Sequence, residues 1–592
     1  MSTSVKKPKS LPLNGHIGVK NKLAFACGDI FGGGSFNIIN FLFTPFLTLV
    51  VGLKMVYLTP ILLFTKIWDG IIDPFIGKIT DAKKPGRFGK RRFFMLISAP
   101  LVLIGFVLLF FPWNLVTDND ILKCVLVVFV YMMYATAQSF VLIPYYSHAS
   151  EMTDDFTARN NTNAVRLAFS IMSSLICVAV PGLIASPTKG DNGVSYIIMA
   201  SVFGVIFTIS ILITALFSRE QVITGPIKRK FNLKEFFRPL KMATYRKYLG
   251  MQMCASFGMA VMSSFFFTLC DFYLRSETYR TATLLGQSAS RFPIATVAAA
   301  VMFFAQIIAL PIYLKLIKVK SKRFAYIIGA IVWIVVAAAM LLLPGEATTP
   351  TVVEGINKKG EVIYNVITVS GAHEAIIIMF GLLLGLGIGG TVFVPHSAFG
   401  DVCDVGELYF GERTEGSFSG LTNFLNTTAQ AIGLAIPPLI IGLTGYIETQ
   451  YVTLEKFAQL QQMDVSQQIK ELGMALENFK SSTGNGNVQL LPLSQPEKAK
   501  ISILVTFSVL PIVIMAFAIW IASRYKLTKQ LQAQIVELNG SVDKSNENFA
   551  IQRRSLLQQV GENVNKIPET VCTLAEQDEV VEADVSNTVQ HN

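Results

Sequence analysis

Three ionisable side chains interrupt an otherwise apolar stretch, LTPILLFTKIWDGIIDPFIGKITD: Lys66, Asp69 and Asp73. A charged group at the centre of a bilayer helix costs about 2.5–3.5 kcal/mol. Asp69 and Asp73 are four residues apart, so a helix puts their carboxylates on one face, about a turn apart. Lys66, three residues before Asp69, falls on nearly the same face. Two neighbouring carboxylates in a low dielectric cannot both stay ionised without a cation. A proton, Na⁺ or a basic side chain would relieve the repulsion, and hard cations favour oxygen ligands. The residues fit a cation site. They also fit a closed network in which Lys66 neutralises one Asp and an Arg the other, and the two can coexist.

Polar groups recur on other apolar runs: Asn37 and Asn40 on the first, Gln138 and Ser139 on the fourth, Arg166 on the fifth. The eleventh run carries Asn423, Asn426, Thr427 and Gln430, a single stripe at helical spacing. Amides that face a cavity can hydrogen-bond sugar hydroxyls; amides between helices act as glue. An unpaired buried Arg is too costly to be glue, so Arg166 is expected to pair with the second run or to contact substrate. Among the five histidines only His396 lies well within a run, and it reads as a packing group. The seven cysteines are scattered without a CxxC. No nucleophile–base pair or metal cluster stands out. The chain therefore does not read as an enzyme, and no cofactor is expected beyond a coupling Na⁺ or H⁺.

These residues must be positioned by membrane helices. The 592-residue chain is 52% hydrophobic and only 15% charged, with mean hydropathy +0.51. A soluble domain is about one quarter charged. Twelve apolar runs, near 24–50, 55–77, 93–112, 122–148, 163–185, 194–217, 247–274, 291–316, 324–343, 373–398, 417–444 and 501–523, are each about long enough to span a bilayer. The net charge of +11 sits in alternate connections, after the second, sixth and eighth runs. That is the positive-inside pattern; it argues against nucleic acid and puts both termini in the cytoplasm of a plasma-membrane protein.

A weak internal repeat divides the runs six and six. Pro144 is followed by Glu151, Asp154 and Arg159; Pro395 is followed by Asp401, Asp404 and Arg413. Such repeats mark secondary transporters of the major facilitator type, with substrate held between the halves at mid-membrane. The expected fold is an all-α membrane protein of twelve transmembrane helices in two six-helix bundles. Its expected parts are a cytoplasmic N-terminus (1–22), a first bundle (23–217), a middle loop (218–246), a second bundle (247–523) with an extracytoplasmic insertion (447–499), and a cytoplasmic tail (524–592). In the insertion, Ile469, Leu472, Leu476 and Phe479 recur at helical spacing. It reads as a surface insertion or a cover for the outer mouth. The tail starts helical and basic and ends acidic, and disorder is its default reading.

Lys66-Ile67-Trp68-Asp69-Gly70-Ile71-Ile72-Asp73-Pro74, continuing through Gly77 and Asp81 to Arg87-Phe88-Gly89-Lys90-Arg91-Arg92, resembles the glycoside–pentoside–hexuronide:cation symporters. So do Asn21-Lys22-Leu23-Ala24-Phe25 with Gly28-Asp29, Ile143-Pro144-Tyr145 with Glu151 and Arg159, Asp401, Asp404, Gly406, Glu407 and Arg413, and Tyr525-Lys526-Leu527. The resemblance runs over nearly all of 20–530. It implies cation-coupled symport of a sugar, glycoside or uronide by alternating access, in a protein that works as a monomer among membrane lipids. Asp69 and Asp73 would hold the coupling cation, with Ser139 as a hydroxyl ligand. Asn37, Asn40, Tyr146, Arg166, Asn426 and Gln430 would line the substrate site, while Lys66, Asp29, Asp401, Asp404 and Arg413 form a charge network. The departures are specific. Sugar-binding carboxylates of the melibiose-transporting members fall at Gly33 and Leu142, and a lysine near the cation falls near Thr427. Cation chemistry is kept and galactoside recognition is lost. An amphiphile such as a lysolipid, carried by distant relatives, is one alternative substrate; a non-transporting membrane sensor or scaffold is an alternative of another class.

Overall fold

The computed structural model describes residues 18–83, 89, 91–152, 156–185, 193–218, 236–270, 294–342, 351–356, 362–367, 371–411, 415–476, 479–484, 487–492, 495–540 and 547–563. Within these the first bundle is α1 (Val19–Cys27), α2 (Asp29–Pro45) with a π-helical turn at Phe46–Val50, α3 (Met55–Ala82), α4 (Arg92–Leu109), α5 (Asp120–Met152), α6 (Phe156–Ile184) and α7 (Val194–Phe217). The second is α8 (Ala243–Thr268), α9 (Ile294–Val319), α10 (Lys322–Met340), α11 (Gly371–Phe410), α12 (Glu415–Gly442) and, after the insertion, α15 (Glu497–Ser523). Among the described residues eleven spans are long and apolar enough to cross a bilayer, α1 and α2 together forming the first. The remaining helix of the first bundle, α6, contributes a shorter apolar helix, Ala168–Ile184, among the described residues. The run expected at 247–274 starts four residues earlier, with α8 beginning at Ala243, and its last residues, 271–274, lie outside the described residues.

The halves meet through three helix pairs: α2 with α8, α3 with α12, and α6 with α9. Advancing each by six membrane helices turns the α3–α12 contact into the α9–α6 contact and maps α2–α8 onto itself. This is the contact pattern of a twofold-related pair of bundles. Prolines 60 and 74 in α3, Pro144 in α5 and Pro395 in α11 sit inside these helices. Membrane helices tolerate them because neighbours re-satisfy the freed carbonyls.

The connection after α12 is a small α/β unit. Strand β3 (Gln450–Thr453) is followed by α13 (Leu454–Gln462), α14 (Val465–Leu472), β4 (Phe479–Gly484) and β5 (Asn487–Pro492). The antiparallel sheet has the order β3-β5-β4, with Val452 opposite Val488. Its own core is Ile447, Val452, Leu460, Leu472, Phe479, Val488 and Leu490. The helical spacing over 469–479 holds only for its first half. α14 ends at Gly473, whose φ of +77° closes the helix in the left-handed region, and Phe479 opens a strand. A hairpin, β1 (Thr351–Ile356) with β2 (Val362–Ile367), precedes α11.

The helical start of the tail runs on to Val560, further than a disordered default allows, while the acidic end, 564–592, lies outside the described residues. α16 (Lys529–Asn539) and α17 (Glu547–Val560) are helical and dock on the second bundle. Arg553 donates to the Leu408 and Tyr409 carbonyls, and Asn539 to the Asp404 carbonyl. Glu562 accepts from the Ala243 and Thr244 amides and so caps α8.

Candidate functional site

α3 presents its charges toward α2 and α5. Lys66 Nζ lies 3.2 Å from Asp69 Oδ2, with both side chains largely buried. Asp73 accepts from the Ser139 hydroxyl at 2.6 Å. Five residues earlier on α3 and three earlier on α5, Trp68 Nε1 donates to Thr136 Oγ1 at 2.9 Å. These bonds tie α3 to α5 at two levels and hold the Asp pair in register with Ser139. On its other side Lys66 stands over the Phe36 ring of α2, 5.0 Å from the centroid. The residues expected to hold the cation, Asp69, Asp73 and Ser139, are thus adjacent in space.

A second charged cluster lies nearer the other end of α2. Arg166 Nε is 3.8 Å from Asp29 Oδ2, and its guanidinium lies 5.1 Å from the Tyr146 ring centroid. Arg166 therefore pairs with α2 rather than with the Asp pair on α3. With all five groups ionised, Lys66 and Arg166 oppose Asp29, Asp69 and Asp73, which leaves one net negative charge. One monovalent cation neutralises it. Among the described residues no three His, Cys, Asp or Glu gather to hold a metal.

Between the halves lies a cavity of about 190 Å³, lined by Phe36 and Asn40 of α2, Gln252, Ser256, Met259 and Ala260 of α8, Val392 and His396 of α11, and Asn426, Gln430 and Leu434 of α12. The carboxamide oxygens of Asn40, Gln252 and Asn426 are buried and accept no hydrogen bond from the protein. Leaving a buried acceptor unpaired costs about 1–3 kcal/mol. Three such acceptors around one cavity suit a ligand that brings hydroxyl donors. His396 Nδ1 donates to the Val392 carbonyl at 2.8 Å, which leaves Nε2 for a ligand.

The cavity thus gathers Asn40, Asn426 and Gln430 from the residues expected to bind substrate. Tyr146 and Arg166 stand instead in the Asp29 cluster. Asn37 is not among the lining residues: its amide donates to the Gly33 carbonyl at 2.8 Å, within α2. Asp401 accepts from Lys322 at 2.5 Å and from Gln532 of the tail at 2.6 Å. Asp404 lies on the same face of α11, and Arg413 falls outside the described residues. Sequence reading missed Gln252, Ser256 and the cavity role of His396. Gln252 and Ser256 are four residues apart on α8, so their shared face was a readable signal. The missing carboxylate at Gly33 has a steric cause. A Cβ there would lie 2.5 Å from Ser170 Oγ, because α2 and α6 are in close contact at that level.

At the end of the molecule where α3 begins, the insertion grips the first bundle. Glu448 accepts from the Met55 amide at 2.6 Å, and the Thr449 amide donates to the Thr48 carbonyl at 3.3 Å. Gln489 donates to the Leu49 carbonyl at 3.4 Å, and the Tyr451 hydroxyl to that of Val50. Deeper in, Thr44 meets Ser264 at 2.9 Å and Thr59 donates to the Ala435 carbonyl at 3.1 Å. On the other side of the cavity, Tyr146 and His396 are exposed.

A family model described as MFS/sugar transport protein matches residues 24–529. The chain is 23% identical over 449 residues to a glucuronide carrier protein homolog of Escherichia coli (strain K12), covering 75% of this chain and 88% of that protein. A sodium-dependent lysophosphatidylcholine symporter of Danio rerio is 25% identical over 172 residues, 28% of this chain and 31% of its own length. Among solved structures, a variant of a nucleoside transporter superposes with a TM-score of 0.52 at 10% identity, over 85% of this chain and 99% of that one. That likeness bears on the fold alone.

Proposed function

Because the chain belongs to the MFS/sugar transport protein family, whose members are integral membrane transporters and not enzymes, we propose that it carries a polyhydroxylated solute (a sugar, glycoside or uronide) in symport with one monovalent cation, Na⁺ or H⁺. The observation that carries this reading is the pairing of two sites. A cavity with unpartnered carboxamides lies beside an Asp pair whose surroundings hold one uncompensated negative charge.

In this reading Asp69 and Asp73 supply carboxylate oxygens to the cation and Ser139 a hydroxyl. Asn40, Gln252, Asn426 and Gln430 accept from or donate to substrate hydroxyls, and His396 adds one acceptor from α11. The insertion closes the outer end while the site is reached from the cytoplasmic end, past Tyr146 and His396. Loading lets the halves rock about the α2–α8, α3–α12 and α6–α9 contacts, which is the motion expected of paired bundles. The same reading puts both termini, the docked tail included, on the cytoplasmic face of the plasma membrane.

The apolar flank of the cavity, Phe36, Met259, Val392 and Leu434, supports a second reading in which the solute is an amphiphile. Counterflow in proteoliposomes separates the two. A panel of sugars, glycosides, uronides and lysolipids is offered with and without Na⁺, at two pH values. Exchange of a polyhydroxylated solute that depends on one cation is expected. Exchange of lysolipids alone would overturn the sugar reading, and no cation dependence with any solute would overturn symport.

A further inference from the structure

We propose that Phe36 is the positioning residue through which occupancy of the Asp69–Asp73 site reaches the polar cavity, an inference that rests on the symport reading above. Phe36 takes part in both places. Its ring faces Lys66 at 5.0 Å, within reach of a cation–π attraction, and the same side chain lines the cavity. Asn40, one helical turn along α2, also lines the cavity, and its buried carboxamide oxygen has no protein partner. The route between the two sites is therefore two contacts long, Asp69 to Lys66 and Lys66 to Phe36.

Lys66 is buried, so its ammonium cannot turn to water. Its charge is divided among Asp69, the Phe36 ring and the nearby phenol of Tyr131. A monovalent cation held by Asp69 and Asp73 takes up part of the Asp69 charge. The hold of Asp69 on Lys66 weakens, and the ring becomes the stronger of its remaining partners. Lys66 then bears more closely on Phe36 and fixes the ring that forms one wall of the cavity. A solute packed against a fixed wall binds more tightly. Binding linkage is reciprocal, so the solute tightens the cation by the same factor. Nothing in this route requires Lys66 to leave the site.

The test is the coupling ratio, the solute Kd without cation divided by the Kd with saturating cation, measured on the full-length protein in nanodiscs. The probes are a nitrophenyl glucoside and a nitrophenyl glucuronide, with Na⁺ and with protons as cation. Wild type should give a ratio of about 5–150. Phe36→Leu keeps an apolar wall but removes the π face; its coupling ratio should fall by about tenfold or to one, whatever the change in the cation-free Kd. Phe36→Tyr keeps the face and should retain the ratio. A packing role would lower cation-free affinity and leave the ratio alone, and that result would overturn the inference. So would equal loss of the ratio in the Leu and Tyr variants. If Phe36→Leu does not fold, Phe36→Met is read in the same way. A wild-type ratio of one with both probes and both cations would overturn the symport reading itself, whereas a coupled wild type with a coupled Phe36→Leu overturns only the role of Phe36.

Discussion

The two bundles bring different chemistry to the middle of the molecule, as two walls of different kinds. On the first-bundle side, α2, α3, α5 and α6 bring Asp29, Lys66, Asp69, Asp73 and Arg166, each with an oppositely charged or hydroxyl partner. On the second-bundle side, α8, α11 and α12 bring Gln252, Ser256, His396, Asn426 and Gln430, none of them a carboxylate or a permanent cation. The difference follows from cost. A charge in the bilayer is tolerated only inside a network, and a network fixes geometry. Amides are cheaper to bury and can exchange donor for acceptor by turning over. A wall of charges suits an ion of fixed demand, and a wall of amides suits a solute whose hydroxyl pattern differs from one relative to another.

The largest effect should come from the charged wall. Asp73→Asn or Asp69→Asn keeps the size and removes a charge. Accumulation of solute against its gradient should disappear, a loss of the whole coupling factor of about 5–150, while counterflow without a gradient persists. Uphill uptake by either variant would mean that the pair serves as a structural partner of Lys66. The amide wall should answer in the opposite way. Asn426→Ala or Gln252→Ala removes one hydrogen bond to solute and should weaken its binding by about five- to thirtyfold, the worth of one to two kcal/mol, with the cation ratio kept. Loss of cation dependence in Asn426→Ala would break the division between the walls.

Smaller effects test the closed end. Gly52 has φ +74°, and a Cβ there would lie 2.7 Å from the Thr449 carbonyl. Gly52→Ala should loosen the insertion and raise thiol labelling of a cysteine placed at Ser264, by several-fold. Glu448 gives that end a pH dependence. Burial pushes its carboxyl up to about 7, against the Met55 amide and the Lys54 charge, with Asp120 adding to the rise. When the end opens, the carboxyl returns toward its ordinary value of 4.5. The closed form thus binds the proton more tightly. It should be favoured as pH falls from about 7 toward 4.5 and lose that advantage as pH rises, by at most about tenfold per unit; Glu448→Gln should flatten the labelling-versus-pH curve. The smallest effect belongs to the tail: Glu562→Ala removes the α8 cap, worth about 1 kcal/mol, and should lower Tm by a few degrees with transport unchanged.

The charged wall was legible in the sequence because intramembrane charge is rare and helical spacing alone puts Asp69, Asp73 and Lys66 on one face. Of the amide wall only the α12 stripe was legible, together with Asn40, which lines the cavity from α2. Gln252 shares its face with Ser256, but a single amide among apolar residues resembles glue until the cavity is seen. Asn37 and Asn40 are three residues apart and look equivalent, yet Asn37 spends its amide on its own helix. The insertion was readable as a segment and not as a sheet, since its strands are four to six residues long and gain their pattern only on pairing. The docking of α16 and α17 buries Ile535, Leu538, Leu557 and Val560 in the core and adds side chains that reach backbone atoms, as Arg553 and Asn539 do. Carbonyls leave no trace in residue identity.

The grip of the insertion on the first bundle has a consequence in time. Opening that end breaks the bonds to Met55, Thr48, Leu49 and Val50 together, because one small folded unit makes them all. At about 0.5–1.5 kcal/mol each, their sum is about 2–6 kcal/mol. The protein at rest would then present that face for roughly one part in thirty to one part in twenty-five thousand of its life. A solute arriving from that side waits on the frequency of opening, and uptake at high concentration would be paced by the insertion letting go.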